Sequence, residues 1–266
     1  MLIKKQWGKG MVAVALGLAM TGGGVYSIHG SVAKASTITH NAAGTAQGGS
    51  DHRQTVHVYK HHGFQLTVQD KSGDPKLRPT INQLVKLYFH KYPDILSYWA
   101  GDNDDTHIKN VKLIIDADYD GVAYTVWQDK EVTVGADYIA SHPDDIAFLT
   151  HELTHMAQAY PTYDNNTVWL TEGIADYSRY LFGPNGTEWR LPEFSEDQHY
   201  YDSYRVTARF LLWIEQHGHE GFVKELNNRL QENTYTIQDF ETLTGQTVEE
   251  LWAEYAQNPE VETHYN

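Results

Sequence analysis

Cysteine is absent from this 266-residue chain, which excludes disulfides, lipid-modified cysteine and any thiolate metal site. Stability must then come from the core and from any bound metal. Long apolar runs are missing as well. The run near the N-terminus, Met11 to Met20, is shorter than the ~20 residues a spanning helix needs. It follows Lys4, Lys5 and Lys9 and precedes Ala33-Lys34-Ala35, small residues of the kind a signal peptidase reads. The expectation is a signal peptide over 1–35, cleaved between Ala35 and Ser36, on a secreted, extracellular protein. An uncleaved membrane anchor is the competing reading. Basic residues are scarce, 20 against 35 acidic ones. Loss of the first 35 residues removes four lysines and no acid, leaving 16 basic against 35 acidic residues, a formal −19. Such a charge opposes phosphate backbones and anionic lipid surfaces. Nucleic acid is therefore not an expected partner, nor is stable membrane association after cleavage. No repeat of fixed period is visible.

Residues 36–53 have little to bury and read as a flexible leader. Alternation then marks strands at Val56–Tyr59 and Phe64–Val68, flanking a turn at His61-His62-Gly63. Apolar residues on helical spacing, Ile81, Leu84, Val85, Leu87, Tyr88 and Tyr92, predict a helix from Leu77 to Trp99 that Pro93 interrupts near its end. Strands follow at 111–115, 122–126 and 131–134. From Trp169 onward the pattern is helical, over about 168–182, 200–217, 219–230 and 236–243. A last helix is opened by Thr247 with Glu250 as a capping box. The fold class is α+β, an N-terminal mixed β-sheet followed by a mostly helical C-terminal half. One domain over 54–258 and a short tail, 259–266, complete the division. Trp169, Trp189, Trp213 and Trp252 read as core.

The chemistry concentrates at His151-Glu152-Leu153-Thr154-His155. Positions i and i+4 share one face of a helix. Two imidazoles so placed can bind one zinc ion, and a glutamate after the first can take a proton from water at that ion. The apolar run Ile146–Thr150 and the acidic pair Asp144-Asp145 after Pro143 place the motif on a core helix that starts near 144. Glu172 and Asp176, again i and i+4, follow in the next predicted helix.

H-E-x-x-H followed by E-x-x-x-D resembles the thermolysin-like, glutamate-ligand metallopeptidases, with a zincin-like fold. That resemblance implies Glu172 as third zinc ligand and Asp176 as the acceptor that orients a zinc-bound imidazole, His151. A metzincin would carry Gly at 158 and His at 161, where this chain has Gln158 and Pro161. The wider stretches His151–Gln158 and Trp169–Tyr177, with Tyr204–Leu211, Gly221–Val223, Leu226-Asn227, Leu243–Gly245 and Leu251-Trp252, are similar to the plant basic secretory protein family. That family has bacterial members and is regarded as a group of zinc peptidases. The similarity runs over roughly 55–256. The acidic charge is a departure from anything the word "basic" implies.

The expected activity is hydrolysis of peptide bonds in a protein or peptide substrate, with one zinc per chain and Glu152 as the base. An oxyanion donor is also required. Tyr204 is the first choice because it opens a family-like block, with His199, Tyr200 and Tyr201 as competitors. Val132–Gly135, just before the zinc helix, is a candidate for the strand edge that pairs with extended substrate, an interior strand being the alternative. Gln158, one turn past His155, either lines the cleft or makes a structural hydrogen bond. Asp116–Gly121 matches the opening of an EF-hand loop, but Trp127 stands where the bidentate Glu belongs, so calcium is a weaker expectation than a turn. His57, His61 and His62 read as surface residues. The alternatives to a peptidase are a non-catalytic extracellular binding protein on a zinc-stabilised fold and a hydrolase of a non-peptide cell-wall amide. Glu152 argues for catalysis, since a purely structural zinc site closes with a fourth protein ligand.

Overall fold

A computed structural model describes residues 35–37, 54–102, 106–184 and 188–264. The expected signal peptide and leader lie outside the described residues apart from 35–37, whose backbone forms strand β1 (Ala35–Thr37). β2 (Thr55–His61) and β3 (Phe64–Asp70) form a hairpin in which His61 pairs with Phe64. His62 and Gly63 both have positive φ, 45° and 82°, the twist that a two-residue hairpin turn requires. α1 (Arg78–Trp99) crosses over to β4 (Asn110–Asp116), which lies parallel to β3. β5 (Ala123–Val126) and β6 (Glu131–Gly135) are antiparallel partners, and β6 runs parallel to β4. The sheet order is β1-β2-β3-β4-β6-β5. The helical half follows as α2 (Ala136–Ser141), α3 (Phe148–Gln158), α4 (Val168–Phe182), α5 (Tyr204–Gln216), α6 (Phe222–Gln231), α7 (Asp239–Thr244) and α8 (Val248–Gln257). The α+β class is as the sequence predicts, and α8 opens with the Thr247/Glu250 capping box. Among the described residues no helix is long and apolar enough to cross a membrane.

Several boundaries differ from the sequence expectation, each for a physical reason. α1 continues through Pro93. The missing N–H costs one hydrogen bond to Phe89, but Tyr92, Ile95, Leu96 and Trp99 are all buried around it. Three α1 side chains also close hydrogen bonds: Tyr92 to the Ile108 carbonyl, Tyr88 beside those of Gln65 and Lys109, and Trp99 to Ser178 Oγ. β6 is interior, flanked by β4 and β5, so the open edge belongs to β5 and not to Val132–Gly135. α3 starts at Phe148 because Asp145 is used elsewhere, accepting from Tyr138 and from Arg179 of α4. α5 starts at Tyr204, since residues 199–202 form a turn closed by Asp202 N–H to the His199 carbonyl. α6 starts at Phe222, after Gly221 at φ 86°.

The core lies between the sheet and α1, α3 and α4, and extends through α5, α6 and α8. Trp169 and Trp213 are buried in it, and Trp189 and Trp252 pack against it. α6 closes the C-terminal ends of α1 and α3. Asn227 and Gln231 donate to the Trp99 carbonyl and Gln231 also to that of Ala157, satisfying acceptors that a helix end leaves open. The segment after α8 is fastened to α5: Arg209 donates to the Pro259 carbonyl, and Gln216 exchanges two hydrogen bonds with the backbone of Glu262.

Candidate metal centre

α3 and α4 pack side by side and bring His151, His155, Glu172 and Asp176 within hydrogen-bond reach of one another. Every residue of α3 except His155 is buried. Thr154 and Trp99 both donate to Ser178 Oγ, tying α3, α1 and α4 together behind the site. Gly173 lets α5 approach α4, since a Cβ there would lie 2.2 Å from Thr207 Cγ2.

His151 Nε2, His155 Nε2 and Glu172 Oε2 form a triangle with edges of 3.0, 3.1 and 3.6 Å. Tetrahedral bonds of ~2.1 Å would put neighbouring ligand atoms ~3.4 Å apart. Among the described residues this is the one group of three or more His, Asp or Glu able to hold a metal ion. The far sides of both rings are fixed. His151 Nδ1 lies 2.8 Å from Asp176 Oδ1, which as a carboxylate accepts. His155 Nδ1 donates to Gln158 Oε1 at 2.6 Å, while Gln158 Nε2 donates to the Thr171 carbonyl, which sets the amide orientation. Both Nε2 lone pairs therefore face inward, toward each other and toward a carboxylate. Such a set favours a cation at its centre, and without a metal the Asp176 and Glu172 carboxylates favour the protonated form of His151. Burial alone would depress the His151 pKa, but hydrogen bonds to Asp176 and Glu172 raise it from 6.5 to about 10. Glu172 is held well below its usual range: burial is outweighed by His155 and His151. Three carboxyl groups, Glu152, Glu172 and Asp176, are each at most 4% exposed, and Asp176 Oδ2 has no hydrogen-bond partner. Buried charge on that scale needs compensation that two imidazoles supply only in part. The residues fit a divalent metal.

Glu152 is held from the sheet side. Thr125 Oγ1, on the edge strand β5, lies 2.8 Å from Glu152 Oε2 and 3.0 Å from its backbone carbonyl. Tyr204 stacks on His151 with ring centres 6.0 Å apart. Burial raises its pKa, and the Glu172, Asp176 and Glu152 carboxylates raise it further, so the phenol stays protonated. Among the described residues no hydrogen bond holds the Tyr204 hydroxyl. Ser203 and Tyr204 both have positive φ, 66° and 47°, backbone strain of the sort that clusters at functional sites. The competitors for its role are turned elsewhere. Tyr200 donates to Glu249, and His199 and Tyr201 stack on each other in the open.

Gln158 is thus a hydrogen-bond partner of His155. Asp116–Gly121 joins β4 to β5, with Asp116 paired to Lys71, and contributes no further metal group among the described residues. His57 and His61 are partly buried and His62 is exposed. Two residues at the site escaped the sequence: Thr125, which carried no motif, and Tyr163, whose hydroxyl donates to Glu172 Oε1 at 2.6 Å.

A family model, BSP, described as "Peptidase of plants and bacteria", matches residues 74–255. The chain belongs to this family. The BSP match begins after the β2–β3 hairpin and takes in α1, β4–β6 and α2–α7 whole, ending within α8. All five site residues on α3 and α4, with Thr125, Tyr163 and Tyr204, fall inside it. No curated protein matches the chain.

Proposed function

We propose that this BSP-family protein is a zinc peptidase of the glutamate-ligand kind, with His151, His155 and Glu172 as ligands. The observation that carries the reading is the inward-facing triangle of those three atoms with Glu152 beside it and an open strand edge alongside. Imidazole and carboxylate donors at these spacings suit zinc. Bound there, zinc supplies Lewis acidity to a scissile carbonyl and to the attacking water.

The protein's own groups then have distinct tasks. Glu152 takes a proton from the attacking water and returns it to the leaving amine, a role worth typically ~10²–10⁴-fold. Thr125 holds the Glu152 carboxylate through Oε2. Tyr204, kept neutral, donates to the oxyanion. Asp176 and Gln158 hold the two imidazole planes.

The substrate is an extended peptide lying on β5. Gly135 N–H bonds the Val122 carbonyl, and antiparallel alternation from that pair directs the backbone groups of Tyr124 and Val126 toward β6. Those of Thr125 face the open edge, at the residue whose side chain touches Glu152. Main-chain pairing of this kind is largely independent of substrate sequence. Export with cleavage between Ala35 and Ser36 belongs to the same proposal and rests on the N-terminal lysines, the short apolar run and the small residues before Ser36.

Removal and return of the metal test the reading. Chelator-treated protein should lose cleavage of unstructured peptides and regain it at one equivalent of zinc. Full activity in protein shown to be free of metal would refute it.

A further inference from the structure

We infer that Tyr163 is a positioning residue of the metal centre: its hydroxyl occupies Glu172 Oε1 and so leaves Glu172 a single oxygen, Oε2, for the metal. The inference rests on the metal-centre part of the reading above and adds a residue to it.

Glu172 uses its two oxygens differently. Oε2 faces the imidazoles, 3.0 Å from His151 Nε2 and 3.6 Å from His155 Nε2. Oε1 accepts from Tyr163 at 2.6 Å, within the short range typical of a hydroxyl bonded to a carboxylate, roughly twice as strong as a neutral pair. A carboxylate free at both oxygens can ligate through both, and that would use coordination space that water and a substrate carbonyl need. The loop that carries Tyr163 is built to hold it. Ala159 ends α3 in the left-handed region at φ 43°. Tyr160 donates to Asn227 and Thr162 to Asn233 on one side of Tyr163, and Asp164 accepts from Asn166 N–H on the other. Yet Tyr163 itself is 39% exposed. An aromatic ring left that open, with its polar end on a buried ligand, is placed for its hydroxyl and contributes little to packing.

Tyr163→Phe removes the hydroxyl and keeps the ring. Zinc affinity, measured by competition with a chromophoric chelator, should fall ~10–100-fold, the usual cost of losing a group that holds a ligand. Cobalt(II) in place of zinc should show a weaker visible band in the variant, because the coordination number rises when Glu172 binds through both oxygens. Thr162→Val breaks the neighbouring bond to Asn233 and leaves the Tyr163 hydroxyl in place; it should bind zinc like the wild type. Wild-type zinc affinity in Tyr163→Phe overturns the inference. Equal weakening in Thr162→Val also overturns it, since loop rigidity would then be the cause. A wild-type chain that takes up no zinc would sink the metal centre itself, whereas zinc binding without peptide cleavage would sink only the proposed activity.

Discussion

Replacing Gly173 by Ala should damage catalysis far more than stability. The new methyl would lie 2.2 Å from Thr207 Cγ2 and 2.7 Å from Thr207 Cβ, whereas carbons rest at ~3.5–4.0 Å. Relief requires α5 to withdraw from α4 by about 1 Å or more. Overpacking of this kind costs ~1–3 kcal/mol, and Ala regains ~1 kcal/mol of helix propensity over Gly. The net loss is ~0–2 kcal/mol, and the melting temperature of a domain this size falls by at most about 8 °C. The same movement carries Tyr204, three residues before Thr207 at the start of α5, away from His151, and strains the backbone beside Glu172. A misplacement of ~1 Å can cost ~10²-fold in rate. Thermal unfolding and kcat/KM on one peptide substrate measure the two effects. Adding Thr207→Ser removes Cγ2, the closer of the two contacts, but keeps Cβ and the hydroxyl that donates to the Tyr200 carbonyl, and should restore part of the activity. A Gly173→Ala enzyme within twofold of wild type, or a double variant no better than the single, would refute the reasoning.

Ser203 sits at φ 66°, ψ −178°, a region populated essentially by Gly at a cost of ~1–3 kcal/mol to other residues; Ser203→Gly should raise the melting temperature by a few degrees, and a fall would show that no strain is stored there. The metal-free protein should be sensitive to pH in two directions. His151 has its pKa raised from 6.5 to about 10, so its contribution to stability is full below 6.5 and is lost as pH rises through about 10. Glu172 is lowered from 4.5, so its contribution is present above 4.5 and is lost as pH falls toward its depressed value. Denaturant midpoints should therefore peak between those limits, and a midpoint that rises from pH 6.5 to 10 would contradict the account. Because zinc replaces the His151 proton, binding at pH 7.5 should release about one proton per ion, read by calorimetry in buffers of different ionisation enthalpy; release near zero would place the proton elsewhere.

What the sequence could show depended on how local each feature is. His151, Glu152 and His155 fall on one helical turn, so the motif is readable, and Gln158 lies one turn further, close enough for a structural hydrogen bond to be one of its two readings. Thr247 and Glu250 form a cap within four residues. The sequence leaves Val132–Gly135 open between edge and interior strand because 122–126 and 131–134 form a hairpin inserted beside β4, and which of the two lies outermost depends on pairing with β4, not on either strand's own pattern. Thr125 meets Glu152 only through that arrangement. Tyr163 reaches Glu172 across the loop from α3 to α4, and a single exposed tyrosine there has no periodicity to mark it. Pro93 misled for a related reason: its local effect is disruptive, but Tyr92 and Trp99 are fixed from outside the helix. Tyr204 stood out only by resemblance, and its positive φ is visible only in the backbone.

The most direct test of a Glu152-dependent peptidase is mass-spectrometric mapping of new termini when the zinc-loaded 36–266 chain meets a mixture of unfolded proteins, with Glu152→Gln run in parallel. The account predicts cleavage by the wild type that falls at least ~10²-fold in the variant, while both chains retain one zinc. Equal cleavage by the two, or none by a zinc-loaded wild type, would contradict it.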